Sequence, residues 1–356
     1  MTIVFIGLSI TSSWGNGHAT NYRALVAALD ARGHDVLFLE RDVPWYAARR
    51  DLPQPPWGRT ELYDSPADLR RRFVEDVVRA DAVVLGSYVP DGVVVAEWVL
   101  HTAAGAVAFW DIDTPVTVTK LEAGDEEYLS RTLVPRFDLY LSFTGGPLLT
   151  RLETEFGARR ARPFYCMADA AAYRPLDEDE RWLLGYLGTY SSDRQPAVES
   201  LLLEPARRLP SERLVVAGPQ YPSAAEWPAN VERIEHLAPG DHPMFYARQR
   251  FTLNVTRPAM VRAGWSPSVR LFEAAACGTP VISDRWDGLD DFFEPGTEIV
   301  VVDAPDEVVD AVRGLTSGDA DMIGAAARKR VLAEHTPERR VAELETHLHE
   351  LLAAAA

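Results

Sequence analysis

The sequence predicts an α/β protein built from two domains, each with a parallel β-sheet. Short apolar runs alternate with helical patterns through the first half of the chain. The alternation stops at a polar segment at 169–180 and then starts again. Such alternation places helices on both faces of a parallel sheet, whose strands are buried on both sides. We therefore expect a first domain at 1–168, a second at 169–335 and a C-terminal helix at 336–356 that can pack back on the first domain.

The first half begins with a strand, a loop and a helix. The strand is predicted at 3–8, a loop rich in Gly, Ser and Asn follows at 9–17, and a helical pattern then stops at Gly33. Further strands are predicted at 35–39, 82–85, 106–109 and 139–141. A proline-rich stretch at 42–66 interrupts the alternation. We predict a long surface loop there, because binding residues often lie on such loops.

The second half repeats the pattern. Strands are predicted at 182–187, 214–216, 251–254 and 281–282, with helices at 196–208 and 268–276. The tail from 319 to 356 is predicted to be helical throughout.

The composition limits the class of protein. The chain has 356 residues and a formal charge of −17. An acidic surface repels a polyphosphate backbone, so we expect no nucleic-acid polymer as a partner, whereas a small phosphorylated ligand needs only one local basic site. The two cysteines, Cys166 and Cys277, are too few to indicate a disulfide framework or a metal knot.

The N-terminus is apolar from the first residues and carries no basic region, so it is typical of a first strand and not of a signal peptide. No apolar run reaches the roughly 18 residues that a membrane-spanning helix needs. These features predict a cytoplasmic protein with no transmembrane span.

The most informative segment is 266–282, which is predicted to form a loop, a short helix, a turn at Gly278 and a strand. The start of such a helix offers unpaired backbone N–H groups and the positive end of a dipole, which suit a phosphate. Glu273 lies about one and a half turns into the helix, where a carboxylate can accept the hydroxyls of a ribose. The alternative is a surface glutamate on an amphipathic helix.

Glu273 to Ile282 resembles the donor-site helix of GT-B glycosyltransferases of group 1, which carry a Glu-x7-Glu signature whose second Glu binds the ribose of a nucleotide-sugar. Met167 to Pro175 resembles the interdomain segment of that family. The loop from Gly188 resembles the one that binds the diphosphate, with Arg194 at the place of its basic residue. Within the superfamily, the whole chain is most similar to CgeB-like, spore-maturation-type enzymes.

This resemblance implies the GT-B fold, two Rossmann-like domains facing each other across a cleft, with the nucleotide-sugar on the second domain and the acceptor on the first. It departs from the family at two positions: Trp265 replaces the first Glu, and Thr189 replaces the Arg of a Gly-Arg pair. Arg257 or Arg270 can supply that charge, and the alternative for each is a surface ion pair. The implied donor-binding residues are Gly17, Thr189, Arg194, Arg257, Ser268, Arg270 and Glu273.

The second informative segment, Ser12 to Thr20, contains the spacing Gly-x-Gly-x-x-Thr, which is an incomplete dinucleotide fingerprint. His18 is predicted to stand at the start of the following helix. A histidine there resembles the catalytic base of inverting GT-B enzymes. The alternatives are a contact with the donor in a retaining enzyme, or a role in capping and packing only.

Asp111 and Asp113 follow the strand predicted at 106–109 and complete the set of candidate catalytic residues with His18. In inverting relatives an aspartate in a comparable region orients the histidine. Asp-Ile-Asp also matches a metal–diphosphate motif of the other main glycosyltransferase fold, and Asp113 is alternatively a turn cap. A His18 base predicts inversion, and the Glu-x7-Glu pattern predicts retention. The sequence leaves both open.

Together these features predict a glycosyltransferase that moves a sugar from a nucleotide-sugar to a small-molecule or glycan acceptor, with no metal and no cofactor apart from its substrate. The alternatives are a nucleotide-sugar 2-epimerase of similar fold and a non-catalytic nucleotide-sugar binding protein. The acceptor pocket is expected to include part of 42–66.

Overall fold

The computed structural model describes residues 1–355 and divides into two compact units. The first contains residues 1–166 together with the C-terminal helix, and the second contains residues 167–336. Each unit has one sheet in which every pair of neighbouring strands is parallel. The predicted α/β class with two parallel-sheet domains is therefore confirmed.

The first sheet has seven strands in the order β3-β2-β1-β4-β5-β6-β7. Its strands are β1 Thr2–Gly7, β2 Asp35–Arg41, β3 Arg59–Tyr63, β4 Ala82–Gly86, β5 Ala106–Asp111, β6 Leu139–Ser142 and β7 Ala161–Pro163. Strands β4 and β5 are buried along their whole length, as the continuous apolar runs predict. The chain reverses its direction of travel across the sheet between β1 and β4, and ligands of open α/β sheets bind beside such a point, at the carboxyl ends of the strands.

Seven helices belong to the first unit: α1 His18–Ala31, α2 Pro44–Ala47, α3 Pro66–Arg79, α4 Gly92–Thr102, α5 Thr114–Ala123, α6 Pro147–Thr154 and the last helix of the chain, α14 Pro337–Ala355. Helix α14 packs on α1. Just beyond α1, Arg32 and His34 both bond Glu345 of α14, with His34 Nε2 lying 2.8 Å from the carboxylate.

The second sheet has six strands in the order β10-β9-β8-β11-β12-β13. They are β8 Trp182–Leu187, β9 Leu214–Ala217, β10 Val231–Ile234, β11 Gln249–Asn254, β12 Val281–Asp284 and β13 Val300–Val302. The helices are α7 Gln195–Val198, α8 Glu204–Arg208, α9 His242–Ala247, α10 Pro258–Ala263, α11 Val269–Ala276, α12 Pro305–Gly314 and α13 Ser317–Glu334. The reversal point lies between β8 and β11, so the segments that follow these two strands face the same edge.

The stretch at 42–66 is more ordered than predicted. Helix α2 begins at Pro44, whose fixed φ suits the first helical position. Strand β3 pairs with β2 at the edge of the sheet, where a strand needs only one bonded neighbour and can be polar and short.

Two predicted helices are interrupted. The tail breaks at His335 and Thr336, because Pro337 disfavours helical backbone in the residue before it. The helix predicted at 196–208 contains a π-helical segment, Glu199–Leu203, followed by Pro205. Since proline has no N–H, it cannot make the regular helical bond to Leu201, and the ladder shifts there.

Within residues 1–355, the structure contains no helix that is both long and apolar enough to cross a membrane.

Candidate functional site

Three of the predicted donor-binding arginines come together at the carboxyl edge of the second sheet. Arg194 precedes α7, Arg257 precedes α10, and Arg270 lies in the first turn of α11. Burial, followed by the positive charges of Arg270 and Arg257, lowers the pKa of Arg194. Three cations gathered in one place repel one another, so this arrangement favours a bound anion.

Arg194 is held at only part of its guanidinium. Nη2 donates to the carbonyl oxygen of Thr189 at 2.7 Å, whereas Nε is buried and has no hydrogen-bond partner in the described part of the chain. Thr189 therefore serves the cluster through its backbone. Arg257 donates from Nε to Asp193 at 3.1 Å, which is the ion pair considered as an alternative for it.

Arg270 is buried and held on two sides. Its Nε donates to the carbonyl oxygen of Leu187, Nη1 donates to Asn254 Oδ1 at 3.0 Å, and the guanidinium lies 4.8 Å from the centre of the Tyr186 ring. A Cβ atom on Gly188 would come within 3.0 Å of Nη2, so only glycine leaves room beside this nitrogen. The surface ion pair considered for Arg270 is therefore wrong.

The N-terminus of α11 adds a second positive element. Ser268 occupies the N-cap position, but its hydroxyl does not cap the helix and instead donates to Asn254 Oδ1 at 2.7 Å. The first backbone N–H groups of α11 are thus not taken up by the N-cap side chain. A helix end of this kind favours phosphate and reinforces the charge of Arg270.

Glu273 lies on the buried face of α11, and only 5% of its side chain is exposed. Its Oε2 is 3.7 Å from Nδ1 of His242, which is itself 3.3 Å from the hydroxyl of Tyr173. Burial, and then the charge of Glu273, raises the pKa of Tyr173 and that of Tyr246 well above the usual value. The alternative of a surface glutamate is therefore wrong.

Trp265, at the place of the family's first Glu, has a left-handed backbone with φ of 43°. Its indole N–H donates to Asp291 at 2.5 Å, and its ring packs so closely on Gly288 that a Cβ there would lie 2.4 Å from the ring. The residue that replaces the expected first Glu is thus a packed indole.

In the first unit, His18 is the first residue of α1, and its backbone N–H donates to Asn16 Oδ1 at 3.0 Å. Nδ1 of its imidazole is buried and has no hydrogen-bond partner among residues 1–355. Burial lowers the pKa of His18 to about 4, so the ring is neutral at pH 7. Gly17 beside it is exposed with ordinary helical backbone, and a Cβ there would meet open space.

The predicted contact between His18 and an aspartate is not formed. His18 follows β1 and Asp113 follows β5, but β4 lies between these strands in the sheet. Tyr88, just beyond β4, occupies the gap: its ring centre is 5.5 Å from that of His18, and its hydroxyl donates to Asp113 Oδ2 at 3.1 Å. Tyr88 also has left-handed backbone, with φ of 62°.

Asp111 lies in the interior of the first unit and is fully buried. Its Oδ2 accepts a hydrogen bond from Tyr140 at 2.5 Å, and its Oδ1 accepts one from Thr117 at 2.7 Å. Burial raises its pKa to about 6. The two aspartates therefore have different surroundings, and Asp113 alone is partly exposed; its side chain does not cap α5. The described residues contain no group of three or more His, Cys, Asp or Glu arranged to hold a metal.

Comparison with known proteins agrees with this geometry. Residues 194–346 match the model of a family described as glycosyl transferase-like. The fold is that of solved GT-B glycosyltransferases. HepE of Anabaena, solved with UDP-glucose, has a TM-score of 0.73 and 15% identity over 99% of this chain and 100% of that chain.

Sucrose-phosphate synthase from Thermosynechococcus elongatus has a TM-score of 0.71 and 15% identity over 100% of both chains. AviGT4, a glycosyltransferase involved in avilamycin A biosynthesis, has a TM-score of 0.61 and 16% identity over 99% of this chain and 98% of that chain. No curated protein sequence matches the chain. The chain therefore has the GT-B fold of these solved glycosyltransferases.

In this GT-B fold the structure gathers the three arginines of the second unit that were predicted to bind a donor, and it separates Asp111 from the other candidates of the first unit. Two residues at these edges escaped prediction. Tyr88 follows the apolar run of β4, and Asn254 is the single polar ending of the run Phe251–Leu253. A polar residue at the end of a buried parallel strand, or within two residues beyond it, is the signal that points to both.

Proposed function

We propose that this protein is a glycosyltransferase that uses a nucleoside diphosphate sugar and binds its diphosphate at the second unit. The observation that carries the proposal is the convergence of Arg194, Arg257 and Arg270 beside the N-terminus of α11. A diphosphate supplies the negative charge that these groups favour, and the same charges stabilise it as it leaves. Glu273, one turn further along α11, is proposed to accept the ribose hydroxyls.

A UDP-sugar is the first donor to test. HepE was solved with UDP-glucose, with UDP, and with UDP and glucose, and an α-glucosyltransferase of similar fold was solved with UDP-glucose and DNA. These proteins are 15% and 11% identical to this chain, so their ligands suggest the nucleotide and leave the sugar to experiment. The narrower likeness to CgeB-like enzymes stays a proposal as well.

We propose that transfer occurs with retention of the anomeric configuration. A general base works best with a pKa near the operating pH, whereas burial lowers the pKa of His18 to about 4. The buried Nδ1 of its ring has no hydrogen-bond partner among residues 1–355. His18 is better suited to hydrogen-bond the substrate as a neutral imidazole. In this scheme the bond from the anomeric carbon to the diphosphate breaks, the acceptor oxygen bonds to that carbon, and its proton passes to the departing diphosphate.

The acceptor is proposed to meet the first unit near the loop at 9–17. This loop is fastened firmly: Glu40 accepts the backbone N–H groups of Ile10 and Thr11 at 2.8 and 3.0 Å, and Asp51 accepts that of Ser13 at 2.8 Å. Trp45 of α2, in the adjoining segment, is 54% exposed. An exposed indole offers a flat face for a sugar or another planar acceptor group.

The test is a panel of UDP-, GDP- and TDP-sugars, with release of the nucleotide measured with and without candidate acceptors. The proposal predicts slow donor hydrolysis without acceptor and faster release with one. Formation of an isomeric nucleotide-sugar would identify a 2-epimerase. A rise in melting temperature with no turnover under any condition would identify a binding protein.

A further inference from the structure

We propose that Asn254 is a positioning residue for the donor diphosphate, because its single side-chain amide fixes Arg270 and the N-cap of α11 at the same time. The inference rests on the proposed function, since it assumes that the anion at these two groups is the diphosphate of the donor.

The amide of Asn254 is buried at the end of β11 and makes four hydrogen bonds. Oδ1 accepts from Ser268 Oγ at 2.7 Å and from Arg270 Nη1 at 3.0 Å. Nδ2 donates to Thr256 Oγ1 at 3.2 Å and to Ser283 Oγ at 3.0 Å. An asparagine amide offers two donors and one oxygen that accepts two bonds, so its full capacity is used.

The chemistry of the partners allows only one orientation of this amide. A guanidinium has donors and no acceptor, so the atom that faces Arg270 must be the oxygen. The nitrogen must then face Thr256 and Ser283, whose hydroxyls accept from it. Rotation of the amide by half a turn would set N–H groups against Arg270 and break four bonds.

The hydroxyls on the nitrogen side are themselves anchored to the end of β12. Thr256 Oγ1 donates to Asp284 Oδ1 at 2.8 Å, the backbone N–H of Thr256 donates to Asp284 Oδ2 at 2.9 Å, and Ser283 Oγ donates to the backbone oxygen of Asp284 at 3.0 Å. Along this chain of bonds, Arg270 donates to Asn254, Asn254 donates to Thr256 and Ser283, and these two hydroxyls donate to Asp284. Two strands of the sheet thus hold the amide, and the amide holds Arg270.

The consequence for the site is a fixed guanidinium. With Nε bonded to Leu187 and Nη1 bonded to Asn254, Nη2 lies beside Gly188, on the loop that leads to Arg194. A guanidinium already fixed in one plane loses little entropy when it binds an anion. Asn254 also keeps the hydroxyl of Ser268 away from the first N–H groups of α11. The fixed guanidinium and the unoccupied N–H groups should both strengthen the binding of phosphate and leave the binding of the nucleoside unchanged.

The experiment compares the affinities of UDP and of uridine for the full chain, by calorimetry and by displacement, in four variants. Asn254→Ala removes all four bonds, and Asn254→Asp keeps the shape but places a negative charge against Arg270. Ser283→Ala is the matched control, because it removes only one of the four bonds of Asn254, on the nitrogen side, and leaves both bonds of Oδ1 in place. Arg270→Ala shows whether the anion site is used at all.

We expect both Asn254 variants to bind UDP about tenfold or more weakly, with uridine affinity unchanged and Ser283→Ala within about twofold of the parent. If Asn254→Ala does not fold, Asn254→Asp alone decides. UDP affinity within about twofold in the Asn254 variants, with a large loss in Arg270→Ala, would overturn the positioning role and leave the proposed function standing. Unchanged UDP affinity in Arg270→Ala would overturn both the positioning role of Asn254 and the proposed function. Equal losses of UDP and uridine affinity in the Asn254 variants would overturn the positioning role alone.

Discussion

The edge of the first sheet around His18 and the edge of the second sheet around Arg270 differ in how their polar groups are satisfied. In the second unit, Arg270 is bonded through Nε and Nη1 and stacked on Tyr186, and its partner Asn254 uses every hydrogen bond available to it. In the first unit, Nδ1 of His18 is buried without a partner in the described residues. Next to it, Gly17 borders open space.

The difference indicates two kinds of preorganisation. The second unit holds charges in place before the ligand arrives, which suits a ligand part such as diphosphate that is the same in every donor. The first unit leaves a hydrogen-bonding atom and adjacent space without internal partners, which suits a group that only the substrate supplies. Buried unpaired polar atoms are costly, so they are expected where a ligand completes them.

The largest effect is expected in the first unit, when His18 is replaced. His18→Ala should lower turnover with acceptor about 10²–10³-fold, the usual loss when one positioned hydrogen bond to a reacting centre is removed. UDP affinity should stay unchanged, because the proposed UDP contacts lie in the second unit. Steady-state kinetics and calorimetry measure the two quantities, with the exposed His349→Ala as the matched control.

The anomeric coupling in the NMR spectrum of the product tests the same residue independently. The donor's configuration should be retained. An inverted product, together with the loss of turnover in His18→Ala, would restore the role of general base and contradict our account of His18.

The second largest effect is expected in the second unit, when Glu273 is replaced. Glu273→Gln should weaken UDP binding by about 1.5–3 kcal/mol, which is typical of a hydrogen bond to a charged group. The loss should be clearly smaller for 2′-deoxy-UDP, because the ligand then lacks one of the hydroxyls that the carboxylate accepts; this double comparison isolates the contact. The exposed Glu294→Gln serves as the control. Equal losses for both nucleotides would place Glu273 outside the ribose contact.

A smaller effect concerns the charge of His18. Its pKa is about 4 in the folded chain, below the ordinary 6.5, so the unfolded chain binds this proton more readily. Protonation of His18 should therefore not affect stability above pH 6.5 and should lower stability as the pH falls from 6.5 towards 4. Denaturant unfolding at several pH values should show this component in the parent and not in His18→Asn. An NMR titration that places the imidazole near 6.5 would contradict it.

The smallest expected effect is that of metal removal. Both oxygens of Asp111 already accept internal hydrogen bonds, so Asp111 and Asp113 do not offer a joint pair of carboxylates to a cation. We expect activity to survive excess EDTA. Loss of activity that manganese restores, and that Asp113→Ala abolishes, would instead favour a metal–diphosphate motif.

The sequence predicted the buried parallel strands well, because strands such as β4 and β8 are continuous apolar runs. It missed β3, β7, β10 and β13, which are the short strands at the edges of the two sheets. Such short strands carry little hydrophobic signal, and they are bonded on one side only. The helix interruptions at Pro205 and Pro337 follow from the chemistry of proline alone, so they could have been predicted from the sequence.

Site residues could be predicted where their position depends on the local sequence, and could not where it depends on the order of strands in the sheet. Arg194 and Glu273 lie in segments whose strand–loop–helix order is readable, and the structure places both at the expected edge. A contact of His18 with Asp111 or Asp113 required the segments around the ends of β1 and β5 to be neighbours, and the strand order inserts β4 and Tyr88 between them. The bonds of Asn254 join segments up to 29 residues apart, which no local pattern reveals.

The central claim is that the arginine cluster of the second unit binds the donor diphosphate, and its most direct test is the affinity of UDP for Arg194→Ala. Arg194 Nε is buried without a partner in the described residues, so its loss removes a group that waits for the anion. Arg207→Ala is the control, because the Arg207 side chain on α8 is exposed. Calorimetry should show UDP binding about 10–100-fold weaker in Arg194→Ala and unchanged in Arg207→Ala. Equal UDP affinity in Arg194→Ala and the parent would contradict the account.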